Sequence, residues 1–551
     1  MKGFDALAAA LVAEGVDTVF GEIAGGVDRL SSVLEAKHGI RYVKVRHEEV
    51  AVGMADGYSR ATGKIGVAIA GAGPGLSNAS APMMAARMAK TPVLVIAGGH
   101  NPDSDRHGPM LTDQPPLLSA TIGAYQNMRS MKTLTEDVAL AFRHLKLGLG
   151  PIALQFPFYV ANGEVADDWT YDPQGLSTVE TAVVQPKAND IRDLTALIRQ
   201  SERPVILAGR GAWLADAKVA LVELAKRSGA LLTTSLLARD WFSDDPYSVG
   251  VSGGLSSPDG ADILRQADLV IAFGATLNDS TVARGTLYAD AILAQVDINP
   301  AAFHDINPTN KVVLGDARAT AQALLMSLTN TIERPQWRGE AMAKKIKAID
   351  RFKGRDLAER DGLANPRLVV DACDRLLPKN RLVLTDIGLF MGVPAAYMTV
   401  PTPGDVVFPW HLGRVGCGLP VALGAAVGRP DRVVTAFIGD GGMMAAMHAL
   451  DTVKMLDIPM ALIVMDDGGF GAERRIFEQA GDATATADYV TPDLAAVVQA
   501  YGLAGYKVTS GADMELVLNQ HDFSTKAALI HVVFDYEIEP TEMISAGWAR
   551  A

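Results

Sequence analysis

The sequence predicts an α/β protein made of three doubly wound, parallel-sheet domains. Short apolar runs that suit buried parallel strands alternate with helical patterns along almost the whole chain. The length of 551 residues exceeds what a single hydrophobic core usually serves. A hydrophobic content of 49% and 53 glycines fit a fold with many strand-to-helix turns. We expect the domains at 1–168, 187–335 and 365–551.

The first domain contains apolar runs at 65–70, 92–97 and 151–156, and helical segments separate them. This strand–helix–strand repetition indicates a mostly parallel sheet. The region 167–175 is rich in Asp, Pro and Gly, which is typical of a linker.

The second domain contains apolar runs at 204–208, 269–273 and 293–297. The charged segment 336–364 follows it, and its composition predicts an exposed helical linker with a solvated face. The third domain then begins near residue 365.

The third domain carries the most informative motif. One apolar run ends in GDGG at 439–442, a helix is predicted over 443–456, and a second apolar run ends in DDGG at 466–469. A right-handed crossover would place both strand ends on one edge of the sheet, so that Asp440 and Asp467 face each other beside a helix start. Two carboxylates next to free backbone N–H groups suit Mg²⁺ bridged to a diphosphate. An isolated Gly-Asp-Gly is more often a simple turn, but the second acidic strand end favours a metal site.

These motifs, followed by GFG at 469–471, resemble the thiamine-diphosphate-dependent enzymes of the acetolactate synthase, pyruvate decarboxylase and 2-hydroxyacyl-CoA lyase type. The resemblance implies an order of pyrimidine-binding, central and pyrophosphate-binding domains. It is most specific at 47–78 and 411–473. By this resemblance, the ligands of Mg²⁺ are Asp440, Asp467 and the backbone carbonyl of Gly469, and the cofactor contacts include Gly441, Gly442 and Phe470. The family usually has Asn at position 467, so the Asp adds a negative charge.

In the first domain, Arg46-His47-Glu48-Glu49 resembles the family segment that carries its indispensable acid. The resemblance implies that Glu48 contacts N1′ of the cofactor's pyrimidine and favours the tautomer that removes the thiazolium C2 proton. The alternative for such a residue is a helix-start acid that complements the helix dipole, and we prefer this alternative for Glu49.

Other implied cofactor contacts are glycines or small residues at turns. Gly73 and Asn78 lie in a glycine-rich loop that the family uses near the pyrimidine and the dimer interface. Gly388 corresponds to a strand-end turn near the diphosphate. The carbonyl of Gly413 would accept from the 4′-amino group, and Val415 would form a wedge between the two rings that is smaller than the usual Met, Leu or Ile.

On the substrate side, the resemblance gives partial information. Glu473 follows the metal turn at the offset where related decarboxylases have a proton-relaying acid, and the alternative is a solvent-exposed carboxylate at a helix start. In the segment 107–114, Met110 lies in the register that we favour for a pocket wall; the nearby His107 is also a candidate, but we prefer the alternative of a loop histidine. The lysine found in acetolactate synthases within a PVTK-like stretch is absent from the corresponding ATIG at 120–123.

The resemblance implies C–C bond cleavage or formation on 2-oxo acids, with thiamine diphosphate and Mg²⁺ as cofactors. Substrates would be a 2-oxo acid, an aldehyde or an acyl-CoA, and decarboxylation would occur with or without carboligation. The alternatives are a 2-hydroxyacyl-CoA lyase, a non-ligating decarboxylase and, outside this class, a non-catalytic cofactor-binding homologue. The central domain would hold FAD, ADP or neither. Because the two cofactor halves bind to different domains, we expect a homodimer or homotetramer with sites at the dimer interface.

Composition excludes several other classes. A net charge of −13 argues against nucleic acid or an anionic membrane as the main partner. The chain's longest apolar stretches are too short for a membrane span. Two cysteines do not provide a disulfide framework and suit a reducing compartment. We therefore expect a cytoplasmic enzyme.

Overall fold

A computed structural model describes residues 1–23, 27–99, 110, 112–179, 182–304, 308–360 and 362–547. Three parallel sheets of six strands follow one another along the chain, and helices flank each of them. The predicted fold class is therefore confirmed. The limits of the three domains stay a prediction.

The first sheet has the strand order β2-β1-β3-β4-β6-β5. Its strands are β1 (Thr18–Gly21), β2 (Arg41–Lys44), β3 (Gly66–Ala70), β4 (Val93–Gly99), β5 (Ala124–Asn127) and β6 (Ile152–Pro157). Its helices are α1 (Gly3–Ala13), α2 (Asp28–His38), α3 (Glu48–Thr62), α4 (Pro74–Asn78), α5 (Ser80–Ala89), α6 (Gln114–Thr121), α7 (Leu134–Lys146) and α8 (Phe158–Ala161). Alternate residues of β3 enter two different hydrophobic cores, with Val67 and Ile69 in one and Ala68 and Ala70 in the other. The sheet is thus covered on both faces, which explains why its strands are continuously apolar.

The central sheet has the order β12-β11-β10-β7-β8-β9. Its strands are β7 (Pro204–Ala208), β8 (Leu231–Thr234), β9 (Ser248–Val251), β10 (Leu269–Phe273), β11 (Ile292–Asp297) and β12 (Lys311–Leu314). Its helices are α9 (Ala188–Gln200), α10 (Arg210–Leu214), α11 (Lys218–Ser228), α12 (Pro258–Leu264), α13 (Asp279–Val282) and α14 (Ala317–Ser327), and α15 (Glu340–Lys347) follows them.

The third sheet has the order β14-β13-β15-β16-β18-β17. Its strands are β13 (Arg381–Thr385), β14 (Val406–Val407), β15 (Val433–Gly439), β16 (Met460–Asp466), β17 (Ala504–Val508) and β18 (Ala528–Val533). Its helices are α16 (Pro366–Leu376), α17 (Gly392–Tyr397), α18 (Gly418–Gly428), α19 (Asp440–Ala446), α20 (Leu450–Leu456), α21 (Gly471–Ala480), α22 (Leu494–Ala500), α23 (Gly511–Gln520) and α24 (Thr541–Ser545).

The first and third domains pack on each other through α3 and α18. The two helices lie so close that a methyl group at Gly57 would overlap with the carbonyl of Val421, and one at Gly424 would overlap with the carbonyl of Met54. Residues of both helices belong to one hydrophobic core that continues into the sheets of both domains. This contact fixes the start of α3, where Glu48 lies, relative to the third domain of the same chain.

The prediction for the charged segment 336–364 is wrong in part. Within its described residues only α15 is helical, and Trp337 near its start is buried rather than exposed. Trp337 is 2% exposed, and its indole Nε1–H donates to the carbonyl of Pro204 at 2.8 Å. The guanidinium of Arg338 lies 4.1 Å from the ring centroid of Tyr247. A high density of charge therefore does not mark this segment as solvated, because its aromatic and hydrocarbon parts cover the central sheet.

The helix after the GDGG motif also differs from the prediction. It begins at Asp440 rather than at residue 443, and a short 3-10 segment, Met447–Ala449, separates α19 from α20. Asp440 and the two following glycines therefore occupy the first turn of α19. An acid is favourable there because it complements the partial positive charge of the helix start.

None of the helices that the structure describes combines the length and apolar character needed to cross a bilayer.

Candidate active site

The two acidic strand ends lie side by side, as the crossover rule predicts. β15 and β16 are parallel neighbours, with Gly439 paired to Met465. Asp440 follows the first of these residues, and Asp466 and Asp467 follow the second. The hydroxyl of Thr491 lies 3.0 Å from Oδ2 of Asp440 and 2.8 Å from Oδ1 of Asp466, and so it joins the two strand ends.

The carboxylates at this edge lie close to one another; Asp440 and Asp466 are buried, and Asp467 is half-buried. Burial, with a contribution from the charge of Asp466, raises the pKa of Asp440 to about 6. Burial, with a contribution from the charge of Asp440, raises the pKa of Asp467 to about 7. Burial also opposes ionisation of Asp466, but hydrogen bonds from His531 and Thr491 outweigh it and hold its pKa below the ordinary value. The edge therefore concentrates negative charge that a cation would neutralise.

This cluster fits a hard divalent cation. Asp440, Asp467 and the backbone of Gly469 line one pocket, and they offer the oxygen ligands that Mg²⁺ prefers. The raised pKa values of Asp440 and Asp467 support the fit, because a bound cation would favour the ionised form of both. Coordination by these three residues stays a prediction.

The same pocket brings together most of the predicted contacts in the third domain. Besides the three candidate metal ligands, its lining includes Gly388, Val415, Gly441, Gly442, Phe470 and Glu473. Glu473 lies in the first turn of α21 with its side chain exposed, so both interpretations of this acid stay open. Gly413 has a positive φ of 67° and lies two residues before Val415, but it is not part of the lining.

Asp386 is a further acid of this site for which the sequence analysis gave no role. It lies at the end of β13 and is fully buried. Its carboxylate accepts from the backbone N–H of Gly416 at 3.1 Å and from the thiol of Cys417 at 3.3 Å. Burial raises its pKa to about 6. Asp386 therefore ties the segment that contains Val415 to the sheet.

In the first domain, the structure brings Glu48 and Asn78 together. Glu48 is the first residue of α3 and is 6% exposed. The amide Nδ2 of Asn78 donates to Oε2 of Glu48 at 3.1 Å. A methyl group at Gly75 would lie 2.6 Å from Oε1 of Glu48, so the loop backbone approaches this carboxylate closely.

Gly73 precedes α4 with a positive φ of 61°, and a side chain there would overlap with the backbone of Met110. Met110 itself has a side chain that is 46% exposed. His107, the other candidate for a pocket wall, lies outside the described residues.

Glu49 has a different environment from Glu48. It forms an ion pair with Arg414, which lies between Gly413 and Val415 in the third domain. A second ion pair, between Nε of Arg46 and the carboxylate of Asp451, measures 2.5 Å. Glu49 thus links the two domains, beyond the helix-dipole role that the sequence suggested.

Glu48 is not among the described residues that line the strand-end pocket of its own chain. All of these lining residues, around Asp440 and Asp467, come from the third domain.

A second pocket lies between the central and third domains. Its lining includes the guanidinium-bearing Arg210, the hydroxyl-bearing Ser235 and Ser252, and the aromatic Phe408 and Trp410. Aromatic and hydroxyl groups suit a planar ring with polar substituents, so the pocket is a candidate location for the flavin or adenine nucleotide. The choice between these and no ligand stays a prediction.

Sequence reasoning missed Thr491 and Asp386, and also Glu22, whose carboxyl lies within hydrogen-bonding reach of Glu48. Thr491 comes from a loop without any recognisable motif. Asp386 at a strand end was visible in the sequence, since it immediately precedes the turn that contains Gly388.

Comparison with known proteins agrees with this architecture. Three family models match in order: the N-terminal TPP binding domain of thiamine pyrophosphate enzymes at residues 1–117, their central domain at 191–324, and their C-terminal TPP binding domain at 386–532.

The similar proteins include enzymes that catalyse different reactions. The acetolactate synthase isozyme 2 large subunit of Escherichia coli K12 is 27% identical over 97% of this chain and 96% of its own length. The probable 2-ketoarginine decarboxylase of Pseudomonas aeruginosa is 30% identical, over 85% of this chain and 82% of its own. The sulfoacetaldehyde acetyltransferase of Alcaligenes xylosoxydans is 27% identical over 86% of this chain and 82% of its own length. With all three domains matched in order, the chain belongs to the family of thiamine pyrophosphate-dependent enzymes.

Proposed function

We propose that this protein uses thiamine diphosphate and Mg²⁺ to cleave the C–C bond next to the carbonyl of a 2-oxo acid. The acyl unit is then released as an aldehyde or joined to a second carbonyl compound, as in an acetolactate synthase. The observation that carries the proposal is the pair of aspartates, Asp440 and Asp467, at neighbouring strand ends of a matched TPP binding domain. The named relatives support the reaction class but differ in substrate.

The chain's own residues would divide the work as follows. Asp440, Asp467 and the carbonyl of Gly469 would hold Mg²⁺, and Glu48 would hold a proton at the pyrimidine N1′. Thiamine diphosphate, when bound, would supply the electron sink for cleavage of the bond. Glu473, at the rim of the pocket, would deliver a proton to the product. Asn78 would keep the Glu48 carboxylate in place through the hydrogen bond at 3.1 Å.

We further propose that each site forms between two chains of a homodimer or homotetramer. The arrangement of Glu48 outside the strand-end pocket of its own chain supports this assembly. The two buried, free cysteines, Cys373 and Cys417, suit the reducing cytoplasm that composition predicts.

A non-ligating 2-oxo acid decarboxylase is the second candidate. The 30% identity to a probable 2-ketoarginine decarboxylase favours it. Incubation of the loaded enzyme with a panel of 2-oxo acids, with and without an acceptor aldehyde, would separate the two by mass spectrometry. A ligation product such as acetolactate supports the first candidate, an aldehyde alone supports the second, and no product from any 2-oxo acid contradicts both.

Subunit complementation tests the assignment of Glu48 and the shared site together. Glu48→Gln and Asp440→Ala should each nearly abolish turnover. After subunit exchange, half of the dimers carry one chain of each kind, and each mixed dimer has one intact site if the site is shared. The mixture should then recover about one quarter of the wild-type activity. No recovery despite mixed dimers in native mass spectrometry would contradict a shared site, and near-normal turnover of Glu48→Gln would remove Glu48 from its role.

A further inference from the structure

A second carboxyl group lies beside Glu48. Glu22 directly follows β1, and Glu48 begins the helix after β2. These two strands are parallel neighbours, with Gly21 paired to Lys44, so their carboxyl ends meet at one edge of the sheet. The carboxyl of Glu22 lies within hydrogen-bonding reach of the carboxyl of Glu48.

Glu22 is held in place by its own backbone. The hydroxyl of Tyr42 donates to the carbonyl of Glu22 at 3.0 Å. The backbone N–H of Val45 donates to the carbonyl of the preceding Gly21 at 3.1 Å, which continues the pairing of the two strands to their ends. The sheet therefore fixes the backbone from which the Glu22 side chain extends.

The two acids differ in their access to water. Glu48 is almost fully buried, and the amide of Asn78 and the backbone of Gly75 already occupy its surroundings. Glu22 is half-buried. Of the two neighbouring carboxyl groups, Glu22 is therefore the one with more access to water.

The charges around the pair favour a shared proton. Burial and the adjacent Glu48 raise the pKa of Glu22. Burial and the adjacent Glu22 raise the pKa of Tyr42, so the phenol stays neutral and brings no compensating charge. Two ionised carboxylates within hydrogen-bonding reach repel each other, and protonation of one converts the repulsion into a hydrogen bond.

We propose that Glu22 and Glu48 form a carboxyl pair that shares one proton, in which Glu22 is a positioning residue that supplies the proton to Glu48 and recovers it from water. The inference rests on the proposed function, because it assumes that Glu48 exchanges a proton with the cofactor's pyrimidine. The transfer is balanced: the O–H bond of Glu22 breaks as one forms on Glu48, and water then reprotonates Glu22.

The first test uses the protein without cofactor. Difference infrared spectroscopy follows the C=O stretch of protonated carboxyl groups as the pH rises, and an ordinary glutamate loses this band near a pKa of about 4.3. The wild type should retain the protonated carboxyl of the pair above that range, in addition to those of Asp386, Asp440 and Asp467. Glu22→Gln and Glu48→Gln should each lower the intensity of the band relative to wild type by one carboxyl group, whereas the exposed control Glu35→Gln should leave the intensity unchanged. Intensity equal to that of the wild type in either pair variant would overturn the shared proton.

The second test uses the enzyme loaded with Mg²⁺ and thiamine diphosphate. Deuterium exchange at the thiazolium C2, measured by acid quench and NMR, should slow by about 10²-fold in Glu22→Gln, the lower end for loss of a positioned proton-transfer group. Glu22→Asp, which keeps the acid, should restore much of the rate and provides a second variant if the Gln protein does not fold.

The outcomes separate this inference from the proposed function. If the wild type does not accelerate C2 exchange over free cofactor, the proposed function fails. If the wild type does accelerate it and Glu48→Gln abolishes it, but Glu22→Gln exchanges like the wild type, only the role of Glu22 is overturned.

Discussion

Asp386 offers a sharp test of the electrostatics at the strand-end site. Its carboxylate is fully buried and accepts hydrogen bonds from the backbone N–H groups of Ile387 at 2.8 Å and Gly416 at 3.1 Å. Burial nevertheless raises its pKa to about 6. The folded protein therefore carries a charge that costs free energy at neutral pH, and Asp386→Asn removes that charge while it keeps the shape of the side chain.

The magnitude follows from proton linkage. The folded pKa lies above the unfolded one, so the folded state binds the proton more tightly. The resulting stabilisation is present in full below the unfolded pKa and is lost as the pH rises through the folded pKa. With pKa values of about 3.9 unfolded and about 6 folded, the wild type loses about 2 kcal/mol between pH 4.5 and pH 7.5, a contribution that the Asn variant does not have.

The absolute stability of the variant includes an opposing contribution. An amide NH₂ in place of one carboxylate oxygen would face the N–H of Gly416 and leave that donor without a partner, which costs about 1–3 kcal/mol. This cost does not depend on pH. The pH dependence of the stability difference between the variant and the wild type therefore isolates the effect of the buried charge.

Hydrogen exchange with mass spectrometry can measure this difference locally. The opening free energy of peptides that cover β13 should shift by about 2 kcal/mol in Asp386→Asn relative to wild type between the two pH values, which is about 25-fold in protection. Peptides from β4 in the first domain serve as an internal control, and the exposed Asp290→Asn is the matched variant. A difference between Asp386→Asn and wild type that stays constant from pH 4.5 to 7.5 would refute the reasoning.

Three further substitutions test other parts of the site. Asp440→Ala should weaken Mg²⁺ and thiamine diphosphate binding together by at least about tenfold in calorimetry, and unchanged binding of both would contradict the metal site. Glu473→Gln should slow product release as aldehyde by about 10²-fold, the lower end for loss of a general acid, and an unaltered rate and product ratio would leave Glu473 without a role. Arg414→Met removes the partner of Glu49 and should destabilise the contact between the first and third domains by about 1–3 kcal/mol. The measurement is hydrogen exchange at the start of α3, which should become faster. Exchange equal to wild type would show that the ion pair contributes little.

The sequence predicted those parts of the site that depend on local chain geometry. Asp440 and Asp467 could be placed together because a short crossover joins their strands, and the handedness of that connection leaves one arrangement. The residues around Glu48 in the sequence indicated a helix start, and the structure has α3 begin at Glu48. By contrast, Thr491 reaches the two strand ends from a loop after α21, and no periodic pattern encodes where such a loop folds back.

The helix start at Asp440 illustrates a second limit. The pair Gly441-Gly442 is a poor helix former by intrinsic propensity, which is why a start at 443 was predicted. In the structure these glycines lie in the first helical turn, where few intrahelical hydrogen bonds form and propensity has less influence. A side chain at position 442 would also lie 2.6 Å from Oδ2 of Asp386, so a tertiary contact rather than local preference requires glycine there.

Contacts of the residues at the start of α3 hold Glu48 in a fixed place, which bears on the proposed shared site. Glu49 and Arg46 are both paired with the third domain of their own chain, and α3 itself packs tightly on α18. Any movement of Glu48 relative to the third domain of its own chain would therefore have to break two ion pairs and a helix interface. Glu48 keeps its place beside Asn78, with its carboxylate oriented by the amide. If the site is shared between two chains, as proposed above, the same contacts would hold this carboxylate ready for the strand-end pocket of the second chain.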